Sequence, residues 1–262
     1  MNLIEIQTAT IDAVKNASSI IKEAFGKIST QNIETKSLNS LVTYVDKETE
    51  QSLVAQLKNI VPEASFLTEE ATIECRSSDW QWIIDPLDGT TNFIHRVPVF
   101  GISVALAYKN DIQVAVVYEP NRDECFYASK NNGAFLNGQA INVSATTQLS
   151  DSLLATGFPY YDYEQTDQYL ALMKKLMQNT RGIRRLGAAA IDLCYTANGI
   201  FDGFFEYSLS PWDVAAGSLI VQEAGGKIYD FNGGNDYLFG RSIIATNATI
   251  YNEFYNSLKK YF

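Results

Sequence analysis

The sequence predicts a layered α/β fold, and three observations carry that expectation. Residues 3–25 and 47–60 repeat their apolar side chains at helical spacing, residues 65–129 fall into short strand-like runs, and from residue 152 onward the two types alternate. Segments that mix in this way bury their apolar faces only by stacking helices on sheets.

Leu3, Ile6, Ile11, Val14, Ile21 and Phe25 share one face at a 3.6-residue period, so residues 3–25 read as an amphipathic helix that Gly26 ends. A second helix is expected to begin just after Asp46, with Leu53, Val54, Leu57 and Ile60 apolar and Pro62 as its stop. Then come strands: SFLT (65–68), WQWII (80–84), VFGISVALAY (99–108), IQVAVVY (112–118) and ECFYAS (124–129). The turn-like KND and EPNRD separate them, which implies a meander of mostly antiparallel strands. A strand at SLLATG (152–157) and a helix over 163–178 follow. The last part alternates AAAIDLCYTANG as helix, DGFFEY as strand, WDVAAGSLIVQEAG as helix, GKIYDF and SIIATN as strands, and a final helix from Ala248. Without a repeat, low-complexity tract or long linker, residues 1–262 read as one domain of two lobes.

Composition excludes several function classes. With 46% hydrophobic and 19% charged residues the chain can bury a large core, so disorder is not expected. A net charge of −10 opposes binding to nucleic acid or to an anionic membrane, and a small anionic substrate would need a local positive centre. Cys75, Cys125 and Cys194 are odd in number and far apart, which suits reduced core thiols better than disulfides or zinc. The N-terminus lacks the marks of a signal peptide, and no run approaches the roughly 18 apolar residues of a membrane span. A soluble cytoplasmic protein is expected.

The chemistry concentrates in WQWIIDPLDGTTNFIHR (80–96). Pro86 has no N–H for a ladder, so the chain is expected to leave the sheet there and project Asp85 and Asp88 from a rigid strand end. Gly89 permits a tight backbone, and TTNF can open a short helix whose free amides face an anion. Clustered carboxylates repel unless a cation neutralises them, and an all-oxygen set selects a hard ion such as Mg²⁺. A helix N-terminus for phosphate beside a carboxylate cage for Mg²⁺ is the minimum equipment for metal-assisted phosphate-ester hydrolysis. Asp46, Glu69, Glu70 and Asp213 are further acids at element ends; read alone, Asp46 and Asp213 suit helix N-caps, and Glu69 and Glu70 a solvated turn. An EF-hand is excluded because its twelfth position, counted from Asp85, is Arg96. The D-x-D-x-T pattern of haloacid-dehalogenase-type phosphatases fails too, since Pro86 and Leu87 both intervene. The lone His95 reads as a loop or surface residue.

WIIDPLDGTTNF (82–93) and WDVAAGSLIVQEAGG (212–226), with the flanking LVTYVD, TEE, GAFLNGQ and RRLGAAAIDL, resemble the inositol monophosphatase family of Mg²⁺-dependent, lithium-sensitive phosphatases over nearly the whole chain. The resemblance implies an alternating α-β-α-β-α sandwich of the sugar-phosphatase type, a site between its two halves, and a homodimer. It implies one Mg²⁺ held by Glu69, Asp85 and the Leu87 carbonyl, a second by Asp85, Asp88 and Asp213, and a third, weaker one by Glu69. Thr90 bonded to Asp46 would orient the attacking water, the amides of Gly89, Thr90 and Thr91 would hold the phosphate, and Asp88, Ala189 and Glu206 would contact the leaving group.

Three departures from the family pattern bear on this. Thr68 stands where the family usually has glycine before its acidic pair, Lys36 is one residue nearer Asp46 than in animal relatives, and 160–181 matches nothing specific. The implied substrate is inositol 1-phosphate, with fructose 1,6-bisphosphate, NADP, histidinol phosphate or 3′-phosphoadenosine 5′-phosphate as alternatives. LDGTTNF, where the adenosine-nucleotide branch reads LDGTKEF, disfavours the last. A reading from another class is an interaction module, as in one bacterial relative that works with transcription machinery.

Overall fold

The computed structural model describes residues 2–28, 33–37, 40–72, 78–160 and 162–262. Helices α1 (Leu3–Ala24) and α2 (Tyr44–Ile60) flank a short hairpin of β1 (Ile33–Ser37) and β2 (Ser40–Thr43). The α1 stripe read from the sequence is the buried one, with Val14, Ala17 and Ile21 fully enclosed. The start expected for α2 is corrected: the N-cap is Thr43, and Asp46 is the third helical residue. Its carboxylate reaches back to the Thr43 amide, so the pair forms a capping box.

A seven-stranded sheet follows, in the order β3 (Ser65–Thr68), β4 (Trp80–Asp88), β5 (Gly101–Tyr108), β6 (Asp111–Glu119), β7 (Glu124–Ser129), β8 (Ala134–Leu136) and β9 (Gln139–Ile141). The β3–β4 pair is parallel and every other pair antiparallel, as a meander requires. Pro86 does not take the chain out of the sheet. Asp85 pairs with Ser103 and Asp88 with Gly101, so three steps on β4 oppose two on β5. This bulge absorbs the missing N–H and carries the strand on to Asp88.

The second sheet has five strands, ordered β11 (Gly182–Arg184), β10 (Leu153–Thr156), β12 (Gly203–Tyr207), β14 (Ser242–Thr246) and β13 (Lys227–Tyr229). Its helices are α4 (Thr166–Asn179), α5 (Ala189–Ala197), α6 (Pro211–Glu223) and α7 (Tyr251–Leu258), and α3 (Thr90–Ile94) follows β4. The final helix thus begins three residues after the expected Ala248.

Strand alternation shows how the layers stack. On β4, Trp82 and Ile84 pack with Val14 and Leu53 under α1 and α2, whereas Ile83 faces Leu193, Val214 and Leu219 of α5 and α6. On β14, Ile243 and Ala245 join that same central cluster, while Ile244 turns to Leu172 of α4 and Phe254 of α7. The order is therefore α1/α2, sheet, α5/α6, sheet, α4/α7: the five-layer α-β-α-β-α sandwich. A helix held between two sheets is apolar on all sides, and α6 buries every residue from Val214 to Val221. Gly217 lets α5 approach, since a Cβ there would lie 2.6 Å from Leu193 Cβ. Cys125 and Cys194 are buried free thiols, and Cys75 lies outside the described residues. No helix among the described residues is long and apolar enough to cross a membrane.

Candidate metal centre and its cavity

The β4 bulge, the loop after β3 and the N-termini of α3, α5 and α6 meet at a cavity of about 410 Å³. Its lining includes Glu69, Asp85, Asp88, Gly89, Thr90, Thr91, Ala189, Glu206 and Asp213, which brings together nine of the residues singled out in the sequence. Asp46 and Leu87 stand behind this wall and act on it through Thr90: the Thr90 hydroxyl lies 2.9 Å from Asp46 Oδ1 and 3.0 Å from the Leu87 carbonyl oxygen. Glu70 does not line the cavity; its amide donates to Glu50 Oε2 at 2.9 Å. His95 is exposed at the end of α3. The side chain of Lys36 lies outside the described residues.

Each acid is fixed by backbone. The Leu87 amide donates to Asp85 Oδ1 at 2.9 Å, the Ala190 amide at the start of α5 donates to Asp88 Oδ2 at 2.7 Å, and the Ser210 amide donates to Asp213 Oδ2 at 2.7 Å. Asp213 is thus the third residue of α6 reaching back to its cap, not the N-cap itself. One oxygen of each is oriented by these bonds, and ligand oxygens of Asp85, Asp88 and Asp213 all lie within 4.8 Å of one another.

Such closeness is unfavourable without a cation. Burial, followed by the charges of Glu69, Asp88 and Asp213, holds the Asp85 carboxyl well above the usual range. Burial is also the main cause that raises Asp88 to about 7, against the Ala190 hydrogen bond, and that raises Asp213 to about 7, with Asp88 next. Among the described residues no lysine lines the cavity, and the arginines that do, Arg185 and Arg241, form none of the salt bridges found there with these three acids. A buried all-oxygen set of this kind fits a hard divalent cation.

Beside the acids, Gly89 takes φ +90° and a Cβ there would lie 3.1 Å from the Val99 carbonyl oxygen, so glycine suits both the left-handed turn and the close approach. The first bond of α3 runs from Phe93 N to the Gly89 carbonyl at 3.0 Å. The amides before Phe93 have no intrahelical acceptor and are available to an anion.

Among the residues not singled out from the sequence are four of the cavity wall and one behind it. Asp192 on α5 is 1% exposed, and burial followed by the Asp88 charge raises its carboxyl well above the usual range. The signal was a lone acid inside the apolar run AAIDLCY. Arg185, Tyr160 and Trp212 line the same space with no distinctive spacing. Glu50, fully buried behind the wall, accepts from the amides of Glu70 and Thr72 and from the Thr72 hydroxyl at 2.6–2.9 Å, and so ties down the turn that carries Glu69. Nothing in DKETEQSL distinguishes it from its solvated acidic neighbours.

The chain resembles known proteins along its whole length. The Putative Nus factor SuhB of Neisseria meningitidis is 43% identical over 239 residues, covering 91% of this chain and 92% of that one. The extragenic suppressor protein suhB of Bartonella henselae superposes with a TM-score of 0.91 at 37% identity, covering 98% of this chain and 99% of that one. The inositol monophosphatase of Anabaena superposes with a TM-score of 0.86 at 32% identity, covering 99% and 97%. The sequence profile of the inositol monophosphatase family matches residues 2–261, and the chain belongs to that family.

Proposed function

We propose that this protein is a Mg²⁺-dependent phosphoric monoester hydrolase that acts on a phosphorylated polyol, with inositol 1-phosphate the leading substrate. The observation that carries the reading is the joint presence, at one cavity, of three clustered buried carboxylates and the Thr90–Asp46 hydrogen bond. The resemblance assigns Glu69, Asp85 and the Leu87 carbonyl to one cation, Asp85, Asp88 and Asp213 to a second, and Glu69 to a weaker third. When bound, the cations neutralise the phosphate and acidify the attacking water.

The chain's own groups do the rest. The amides of Gly89, Thr90 and Thr91 orient the phosphate oxygens, which is what a reaction driven by positioning and charge needs. Thr90 Oγ1 accepts a proton from the water as its own hydroxyl proton moves toward Asp46 Oδ1. Burial keeps the Asp46 carboxyl above its ordinary range, which makes it a better acceptor. Asp88, Ala189 and Glu206 face the leaving group.

The test is phosphate release from inositol 1-phosphate, fructose 1,6-bisphosphate, NADP, histidinol phosphate and 3′-phosphoadenosine 5′-phosphate, with Mg²⁺, with chelator and with added Li⁺. Release that needs Mg²⁺, is inhibited by Li⁺ and favours inositol 1-phosphate supports the reading; release that persists in chelator contradicts it. The relatives named Nus factors favour a second reading, an interaction role beside hydrolysis. Its test is whether Asp88→Asn, without turnover, still supports a Nus-factor function; loss of that function with the protein folded would tie both roles to one site.

A further inference from the structure

Two buried acids line the cavity without belonging to the Asp85–Asp88–Asp213 group: Asp192 of α5, 1% exposed, and Glu206 of β12, 5% exposed. Asp192 Oδ1 has no hydrogen-bond partner among the described residues. A buried polar atom without a partner is costly and calls for an explanation. Here the side chain borders a cavity, so the missing partner can be supplied by what enters it.

The surroundings favour one ligand chemistry. Gly157 seats the Glu206 carboxylate: a Cβ there would lie 2.1 Å from both Oε1 and Oε2. Asp192 and Glu206 are close enough for the charge of one to act on the other, and the Arg185 guanidinium acts on both. Arg185 donates to the Tyr160 hydroxyl and lies over the rings of Phe158 and Tyr160, which fixes its plane while leaving further N–H donors. Two carboxylates accept O–H groups, and a guanidinium donates to the oxygens of the same groups. Neighbouring hydroxyls of a polyol satisfy both, whereas a second phosphate would be repelled by the acids and an apolar group would leave them unpaired.

Resting on the phosphatase reading above, we propose that Asp192 is a substrate-recognition residue that pairs with Glu206 to bind two adjacent hydroxyls of the leaving polyol. The experiment is steady-state kinetics in saturating Mg²⁺ on the wild-type protein, Asp192→Asn and Asp192→Ser, with inositol 1-phosphate and with p-nitrophenyl phosphate, whose leaving group has no adjacent hydroxyls. The two variants remove the carboxylate with different shapes, and a thermal melt verifies each fold.

A hydroxyl bonded to a buried carboxylate predicts that the ratio of kcat/KM between the two esters falls about tenfold or more, with the loss mainly in KM. An unchanged ratio in a folded variant, whether both activities hold or both fall, overturns the proposal. Should the wild-type protein hydrolyse neither ester, the phosphatase reading fails by itself and calorimetric binding of inositol decides. Binding weakened about tenfold by Asp192→Asn then supports the recognition role, and binding that is absent or unaltered overturns it.

Discussion

Thr90 Oγ1 lies 2.9 Å from Asp46 Oδ1, and the other oxygen of that carboxylate accepts from both the amide and the hydroxyl of Thr43. A helix-capping residue therefore also holds the hydroxyl that borders the acidic cavity. Thr90→Ala is predicted to lower kcat by about 10²-fold or more, the usual range for lost proton transfer, while Thr90→Ser keeps most activity. Asp46→Asn is predicted to lower kcat and also to lose about 1 kcal/mol of stability through the damaged cap. Kinetics and denaturant melts of the three variants test the pair; equal activity in Thr90→Ala would remove Thr90 from the reaction.

Glu50 accepts three hydrogen bonds from Glu70 and Thr72 and is fully buried. Removing it leaves two amides and a hydroxyl to find other partners. Glu50→Ala is predicted to cost about 1–3 kcal/mol and to raise the Mg²⁺ concentration needed for half-maximal activity, because the turn bearing Glu69 loosens. A melt with a Mg²⁺ titration checks both, and unchanged Mg²⁺ dependence would separate Glu50 from the metal centre.

Gly89 sits at φ +90°, with a Cβ position 3.1 Å from Val99 O and 3.3 Å from Ala188 Cβ. Gly89→Ala meets backbone strain and contact together, so a loss of about 1–3 kcal/mol is expected, along with weaker inhibition by inorganic phosphate. Unaltered stability would show that the turn accepts a side chain.

The acidic centre predicts an unusual response to pH. Burial raises Asp88 and Asp213 to about 7 in the folded chain and holds Asp85 well above its ordinary range, all above the unfolded range near 4. Between those values the folded state binds more protons than the unfolded one, so the metal-free contribution of these groups is fully present at acid pH and is lost as pH rises through about 7. Mg²⁺ replaces the protons. The increase in Tm on adding Mg²⁺ is predicted to be small at pH 5.5 and larger at pH 8, as followed by scanning calorimetry, and to vanish in Asp88→Asn. An increase independent of pH would mean that these carboxylates do not hold the ion.

Much of this architecture is legible in the chain because burial imposes a period. The α1 stripe, the alternation of β4 to β7 and the largely apolar Val214–Val221 stretch of α6 follow from which faces must leave water. The acids were legible for another reason, since Asp85 and Asp88 interrupt an apolar run where only chemistry tolerates them. Pro86 misled because a bulge, which depends on the partner strand, decided whether the sheet continued. Short strands such as β8, β9 and β11 carry no pattern of their own and exist through their neighbours. Asp192 and Glu50 were missed on similar grounds: their roles come from what the fold places beside them, which residue spacing alone does not encode.

The most direct test is phosphate release from inositol 1-phosphate by wild type and Asp88→Asn across a Mg²⁺ titration, with circular dichroism to verify both folds. The account predicts Mg²⁺-dependent release by the wild-type protein and none above background by the variant, because the substitution removes one charge from the carboxylate group that holds the ion. Equal release by the folded variant, or release that ignores Mg²⁺, would contradict the assignment of Asp85, Asp88 and Asp213 as a catalytic metal centre.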